Sequence, residues 1–250
     1  MSNFSRWQAG TAAFLALGLT SGTLAPLVSP APTFAQSVYF SDIPDGYWAI
    51  DFISELIKMD IIEGFDSTEF SDPTFQPDGP VTRAQFAVML QKANDEYWER
   101  PNIKPTVSFI DVGPSHRNRA ANAINSVTRT GFMRSYPDGK FRPEQPITRE
   151  QVFVSLADGL GYRATQEPSS VLSIYNDASA ISGYAREAIS GATVKQLVVN
   201  YPNVAILRPT SNATRAEVAA AIAQALVADG HIQEFKSPYI VTPTPKVTSP

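Results

Sequence analysis

Apolar residues recur at helical spacing in six stretches of this chain, and the six fall into three pairs. In "YWAIDFISELIKMDII", Trp48, Phe52 and Leu56 fall on one face with Ile53 and Ile57 beside them, the i, i+4 pattern of an amphipathic helix. The corresponding stretch of the second pair carries Ala120, Ala123, Ile124 and Val127 and ends near Gly131; that of the third carries Tyr184, Ala188, Ile189, Val194 and Leu197. The second member of each pair offers Phe86, Leu90 and Ala93, then Val152, Leu156 and Leu160, then Val218, Ile222 and Leu226, the last set amid alanines. Each pair is joined by a turn-rich link. "YPDGKFRP" places a Pro-Asp-Gly turn before a short extended segment. The first link is stretched to "FDSTEFSDPTFQP", and the third replaces Asp-Gly with "NVAI", a weaker turn. No series of alternating strands suggests a membrane barrel. The pattern predicts an all-α protein of three helix-loop-helix units.

Three landmarks hold these units in register. A Thr-Arg pair stands at Thr82, Thr148 and Thr214; 148 − 82 and 214 − 148 both give 66. Five residues earlier come Pro77, Pro143 and Pro209, preceded by Phe75, Phe141 and Leu207. Upstream lies an aromatic-x-Asp triplet ending in Asp42, Asp111 or Asp177. The repeats span 38–97, 107–162 and 171–229, followed by a Pro/Thr-rich extended tail or stalk over 230–250. Two short helices bury little alone, so three stacked units must share a core.

Thr82, Thr148 and Thr214 are suited to cap the second helices, with Gln85, Gln151 and Glu217 reaching back from the third helical position. Capping does not explain Arg83, Arg149 and Arg215. A cation in the first turn opposes the helix dipole by roughly 0.3–1 kcal/mol. Two explanations stay open. One is an ion pair with Asp42, Asp111 or Asp177. The other is an anion site, in which a guanidinium beside free helix N–H groups receives a carboxylate or phosphate. The second implies that removing the arginines leaves stability nearly unchanged.

The stretches "FSDIPDGYWAIDFISELIKMDIIEG", "SYPDGKFRPEQPITREQ" and "ATRAEVAAAIAQAL" resemble the S-layer homology (SLH) family, from about Val38 to Ala228. The resemblance implies three SLH units packed as a pseudo-threefold spindle. It also implies inter-repeat grooves that bind anionic, pyruvylated cell-wall polysaccharide or a peptidoglycan-linked glycan. Arg83, Arg149 and Arg215 then meet the ligand carboxylate. Trp48 matches the family's aromatic at the start of the first helix, though its spacing first of all suits a core residue. His116 or a neighbour takes its place in the second unit and Tyr184 in the third. The third unit lacks the Gly and Asp of the family's link, so its groove is expected to be the weakest. The alternative is an adaptor that binds another envelope protein. An anchor needs the arginine heads open in grooves, whereas an adaptor would bury them in ion pairs.

Composition narrows the picture further. Residues 1–35 read as an export signal: Arg6, an apolar run from Ala9 to Leu19, and Thr33-Phe34-Ala35 at the cleavage site. The run is short and broken, so no membrane span is expected after cleavage. The expected location is the cell envelope, either the wall surface or the periplasm beneath an outer membrane. Cysteine is absent, which removes disulfides, thiolate metal ligands and a lipidated cysteine. A net charge of −4 without a basic run argues against nucleic acid. Only His116 and His231 are present, with no phosphate loop and no metal-spaced cluster. No enzyme activity, cofactor or metal is expected.

Overall fold

The computed structural model describes residues 40–65, 73–113 and 119–243. The export signal, His116 and the last part of the tail lie outside the described residues. The regular secondary structure among the described residues is helical, with α-helices α1 Ile50–Lys58, α2 Arg83–Ala93, α3 Arg119–Thr130, α4 Arg149–Leu160, α5 Pro168–Leu172, α6 Arg186–Val194 and α7 Arg215–Ala228. Extended pairing among the described residues is limited to isolated bridges. The all-α expectation holds.

Thr82, Thr148 and Thr214 each accept from the backbone N–H three residues on, and Gln85, Gln151 and Glu217 return the bond, so all three capping boxes form. The first helices start later than the apolar pattern suggests. α1 begins at Ile50 and α6 at Arg186, with a 3-10 turn over Gly183–Ala185 before it. Neither has a side-chain cap. Trp48 and Tyr184 therefore sit on the entry turns and not on helix faces, which frees their rings from helical geometry.

The helices pack between units. α2 lies on α3, α4 on α6, and α7 on α1. Each unit's second helix thus buries its apolar face on the first helix of another unit, in cyclic order. α7 is buried around its whole circumference from Arg215 to Leu226. Alanines make that possible, because they let neighbouring helices approach from every side.

The links join the units in the same cyclic sense. The Ile147 N–H donates to the Val81 carbonyl, Ala213 to Ile147 and Val81 to Ala213, at 2.9, 2.9 and 3.1 Å. The motif aspartates hold the links in shape. Asp42 accepts from the N–H groups of Phe75 and Gln76, Asp111 from Phe141 and Arg142, and Asp177 from Leu207 and Arg208. The second residue of each pair is left-handed, with φ of 57°, 57° and 52°. That turn points two successive N–H groups at one carboxylate, a small anion nest. The aspartates are thereby committed to backbone, and the expected ion pair with the arginines does not form.

Two further segments differ from expectation. The linker around "RATQEPSS" contains the short helix α5, begun by Pro168. The tail is no free stalk up to residue 243. Phe235 packs on Phe52 at 4.5 Å between ring centroids, and the backbone of residues 239–241 pairs with 198–200.

Candidate ligand grooves

The three arginine heads are buried, with exposures of 5% for Arg83, 2% for Arg149 and 7% for Arg215. Burial lowers the pKa of each guanidinium from its ordinary value. Each reaches across a unit boundary. Arg83 Nε donates to the Phe141 carbonyl at 2.7 Å and Nη2 to Arg134 at 2.9 Å. Arg149 Nε donates to Leu207 at 2.7 Å, and Arg215 Nε to Phe75 at 2.8 Å with Nη2 on Glu63 at 2.7 Å. Arg83 and Arg215 also lie 4.6 Å from the ring centroids of Phe141 and Phe75, a cation-π contact.

This geometry explains the arginine in the first turn. Its backbone N–H is not free: Arg83 donates to Gln145, Arg149 to Ser211 and Arg215 to Gly79. The next residue is likewise committed, Ala84 to Pro143, Glu150 to Pro209 and Ala216 to Pro77. The third N–H goes to the capping threonine. The expectation of free helix N–H groups beside the guanidinium fails, because the neighbouring link supplies carbonyls to the first two and the capping threonine takes the third. With the dipole end screened by those carbonyls, the cation loses little. The burial and bonding of the heads argue against the expectation that the arginines are dispensable for stability.

The heads differ in what else they meet. Arg149 Nη1 is 3.0 Å from Glu217 Oε1, and Nη2 donates to Asn200 Oδ1 at 2.6 Å. Glu217 also receives Arg208. Burial pushes the Glu217 carboxyl up, but Arg149, the Thr214 N–H and Arg208 together hold it below its ordinary value. Next to Asn200 in sequence, Tyr201 stacks on Trp48 at 5.3 Å, and Tyr239 of the tail meets both rings edge-on. The Arg149 head is closed off from solvent and paired within the chain.

Around Arg83 the structure is open. A cavity of about 600 Å³ is lined by Arg83, Arg134, Tyr136, Gln151, Asp158 and Tyr184, among others. Arg83 lies 4.8 Å from the centroid of Tyr136. The Tyr136 hydroxyl accepts from Gln145 and Gln151 at 3.1 Å each. Gln151 stands where Glu217 stands beside Arg149, and no ion pair to Arg83 is found among the described residues. Its Nη1 has no acceptor among the described residues. Tyr184 is 61% exposed, and its hydroxyl donates to Glu150 at 2.9 Å. Burial and that carboxylate raise its pKa. Arg215 faces Phe65 at 4.8 Å.

Arg83 and Tyr184, both candidates from the sequence, line the same cavity in the structure. Trp48 does not line that cavity and stacks on Tyr201 instead. Tyr136, Arg134, Asp158 and Glu150 were missed. Tyr136 had a signal, since it opens the Pro-Asp-Gly turn that forms the groove wall.

A cyclic set of Thr-Arg capped helices with aspartate-clamped links now stands beside a family match. The model of the S-layer homology domain matches residues 39–87 and 108–153. The chain carries S-layer homology domains. The two matched segments hold the Arg83 and Arg149 capping boxes; the third SLH-like unit repeats their hydrogen bonding at Arg215. An endoglucanase of Bacillus sp. (strain KSM-635) is 30% identical over 194 residues, 75% of this chain and 18% of that protein. An amylopullulanase of Thermoanaerobacterium thermosulfurigenes is 32% identical over 222 residues, 85% of this chain and 11% of that protein. A cellulosome-anchoring protein of Acetivibrio thermocellus is 30% identical over 119 residues, 46% of this chain and 24% of that protein. The SLH chain therefore spans a minor part of each of these relatives. No helix among its described residues is long and apolar enough to cross a membrane, and none of their His, Asp and Glu side chains group as a metal site.

Proposed function

We propose that this chain is a non-catalytic anchor of the cell envelope that binds anionic, pyruvylated wall polysaccharide or a peptidoglycan-linked glycan in the Arg83 groove. The observation that carries the reading is the Arg83 head: buried, fixed by two carbonyls and an aromatic face, with no acceptor for Nη1 among the described residues, and lining a cavity of about 600 Å³. A guanidinium so held is preorganised for a carboxylate. Tyr136 and Tyr184 add ring faces suited to the apolar side of a sugar. The relatives support an anchoring role. A glucanase, a pullulanase and an anchoring protein align with this chain through small fractions of their length, so what they share is not one catalytic activity. The three units are read as the SLH spindle, exported behind the signal over 1–35.

Arg149 is assigned to structure and not to ligand, because Glu217 already provides its carboxylate. The adaptor reading would need all three heads in ion pairs, and the ion pair described here belongs to Arg149.

Sedimentation of the mature chain with purified wall sacculi tests the proposal. Wild type co-sediments, and chemical removal of ketal pyruvate from the wall releases it. Ser135→Trp fills the groove from an exposed position and abolishes binding with an unchanged melting temperature. If wild type stays in solution, anchoring is wrong. If Ser135→Trp still sediments, the groove is wrong.

A further inference from the structure

In the second unit the residue after the motif arginine is Glu150, where the other units have Ala84 and Ala216. The fold does not require a carboxylate there, as those two alanines demonstrate. Yet Glu150 is 5% exposed, and burying a carboxylate is expensive without compensation. Its compensation comes entirely from the entry turn of the third unit among the described residues. Oε1 accepts from Ser182 Oγ at 2.9 Å and from the Tyr184 hydroxyl at 2.9 Å, and Oε2 accepts from the Ser182 N–H at 3.2 Å.

The group held by this arrangement is a large aromatic that is itself mostly exposed. An exposed tyrosine ring ordinarily turns freely and loses that freedom on binding a ligand. Tyr184 is instead tethered at its far end and forms one wall of the Arg83 groove. We infer that Glu150 is a positioning residue for ligand binding: it fixes the Tyr184 ring as a sugar platform and sets the polarity of its oxygen. With its proton directed to Glu150, the phenol offers the groove acceptor lone pairs only. The site then discriminates along its length, taking an anionic group at Arg83 and a hydroxyl donor at Tyr184. This inference rests on the proposed glycan site, but the tether itself is testable without a ligand.

Fluorine NMR of the chain labelled with fluorotyrosine reads the tether directly, with the Tyr184 signal assigned by its loss in Tyr184→Phe. Glu150→Ala shifts and sharpens that signal, while Glu150→Gln, which retains a carbonyl acceptor, stays near wild type. An unchanged signal in Glu150→Ala overturns the positioning role whether or not the wall binds. Affinity for solubilised wall polysaccharide is measured on the same proteins. Glu150→Ala and Tyr184→Phe each weaken it about tenfold, the double variant is no worse than either, and Glu150→Gln restores most of the loss. Additive losses, or Glu150→Ala binding as wild type, refute the inference. Shifted fluorine signals with no wild-type binding leave the tether standing and overturn the glycan reading together with the role in binding.

Discussion

Replacing Arg149 by methionine removes a head that makes four polar contacts in a site only 2% exposed. Nε leaves the Leu207 carbonyl, Nη2 leaves Asn200 and Val199, and Nη1 leaves Glu217. Methionine fills much of the stem volume, so the loss is chiefly polar. A buried acceptor stripped of its donor costs about 1–3 kcal/mol. Glu217 retains Arg208, which limits the cost of its uncompensated charge. Together these place Arg149→Met in the range of a broken buried pair, about 3–5 kcal/mol. At roughly 2–4 °C per kcal/mol for a chain of this size, the melting temperature falls by about 10 °C. Adding Glu217→Gln removes the stranded carboxylate and recovers part of the loss. Urea denaturation followed by tryptophan fluorescence measures both variants against wild type. A single variant within about 1 kcal/mol of wild type at unchanged m-value would refute the reasoning, because it would mean that the head is not a joint between units.

Two other outcomes follow from the same contacts. The Glu217 carboxyl has a folded pKa below its ordinary 4.5. The unfolded chain therefore takes up its proton first, so this stability is present above about pH 4.5 and is lost as pH falls through the lowered value; Glu217→Gln flattens that portion of an acid stability curve. At Gly191 an added Cβ would stand 2.6 Å from the Tyr162 carbonyl oxygen, so Gly191→Ala costs about 1–3 kcal/mol in the same urea assay.

Much of the fold was legible because it is local. The capping threonines and their Gln or Glu partners act over three residues, and the 66-residue register shows which positions correspond. What the arginine heads touch was not legible, since Arg83 meets Phe141 and Arg134 from a different unit. A sequence shows a cation at a helix start but not the carbonyls that another link will bring to it. The same holds for Asp42, Asp111 and Asp177, which looked like ionic partners and serve instead as acceptors for two backbone N–H groups each. Glu150 was hidden for a different reason. A glutamate in the first helical turn is ordinary, and only the exposed ring at its end distinguishes it. The tail looked free because Pro and Thr predict extension, a conformation that also suits pairing with 198–200.

The hydrogen bonds linking Val81, Ile147 and Ala213 have a topological consequence. An open array of repeats has two end units that need special caps, and its length can change by one unit with little penalty. Here the third unit donates back to the first, with Arg215 bonding to Phe75 across 140 residues of chain. The circuit has no terminal unit and no outer face to cap. Deleting one unit would break two joints at once and leave the other two without closure. Each arginine head is seated by one other unit, Arg83 by the second, Arg149 by the third and Arg215 by the first, so losing any one unit unseats the head that reaches into it.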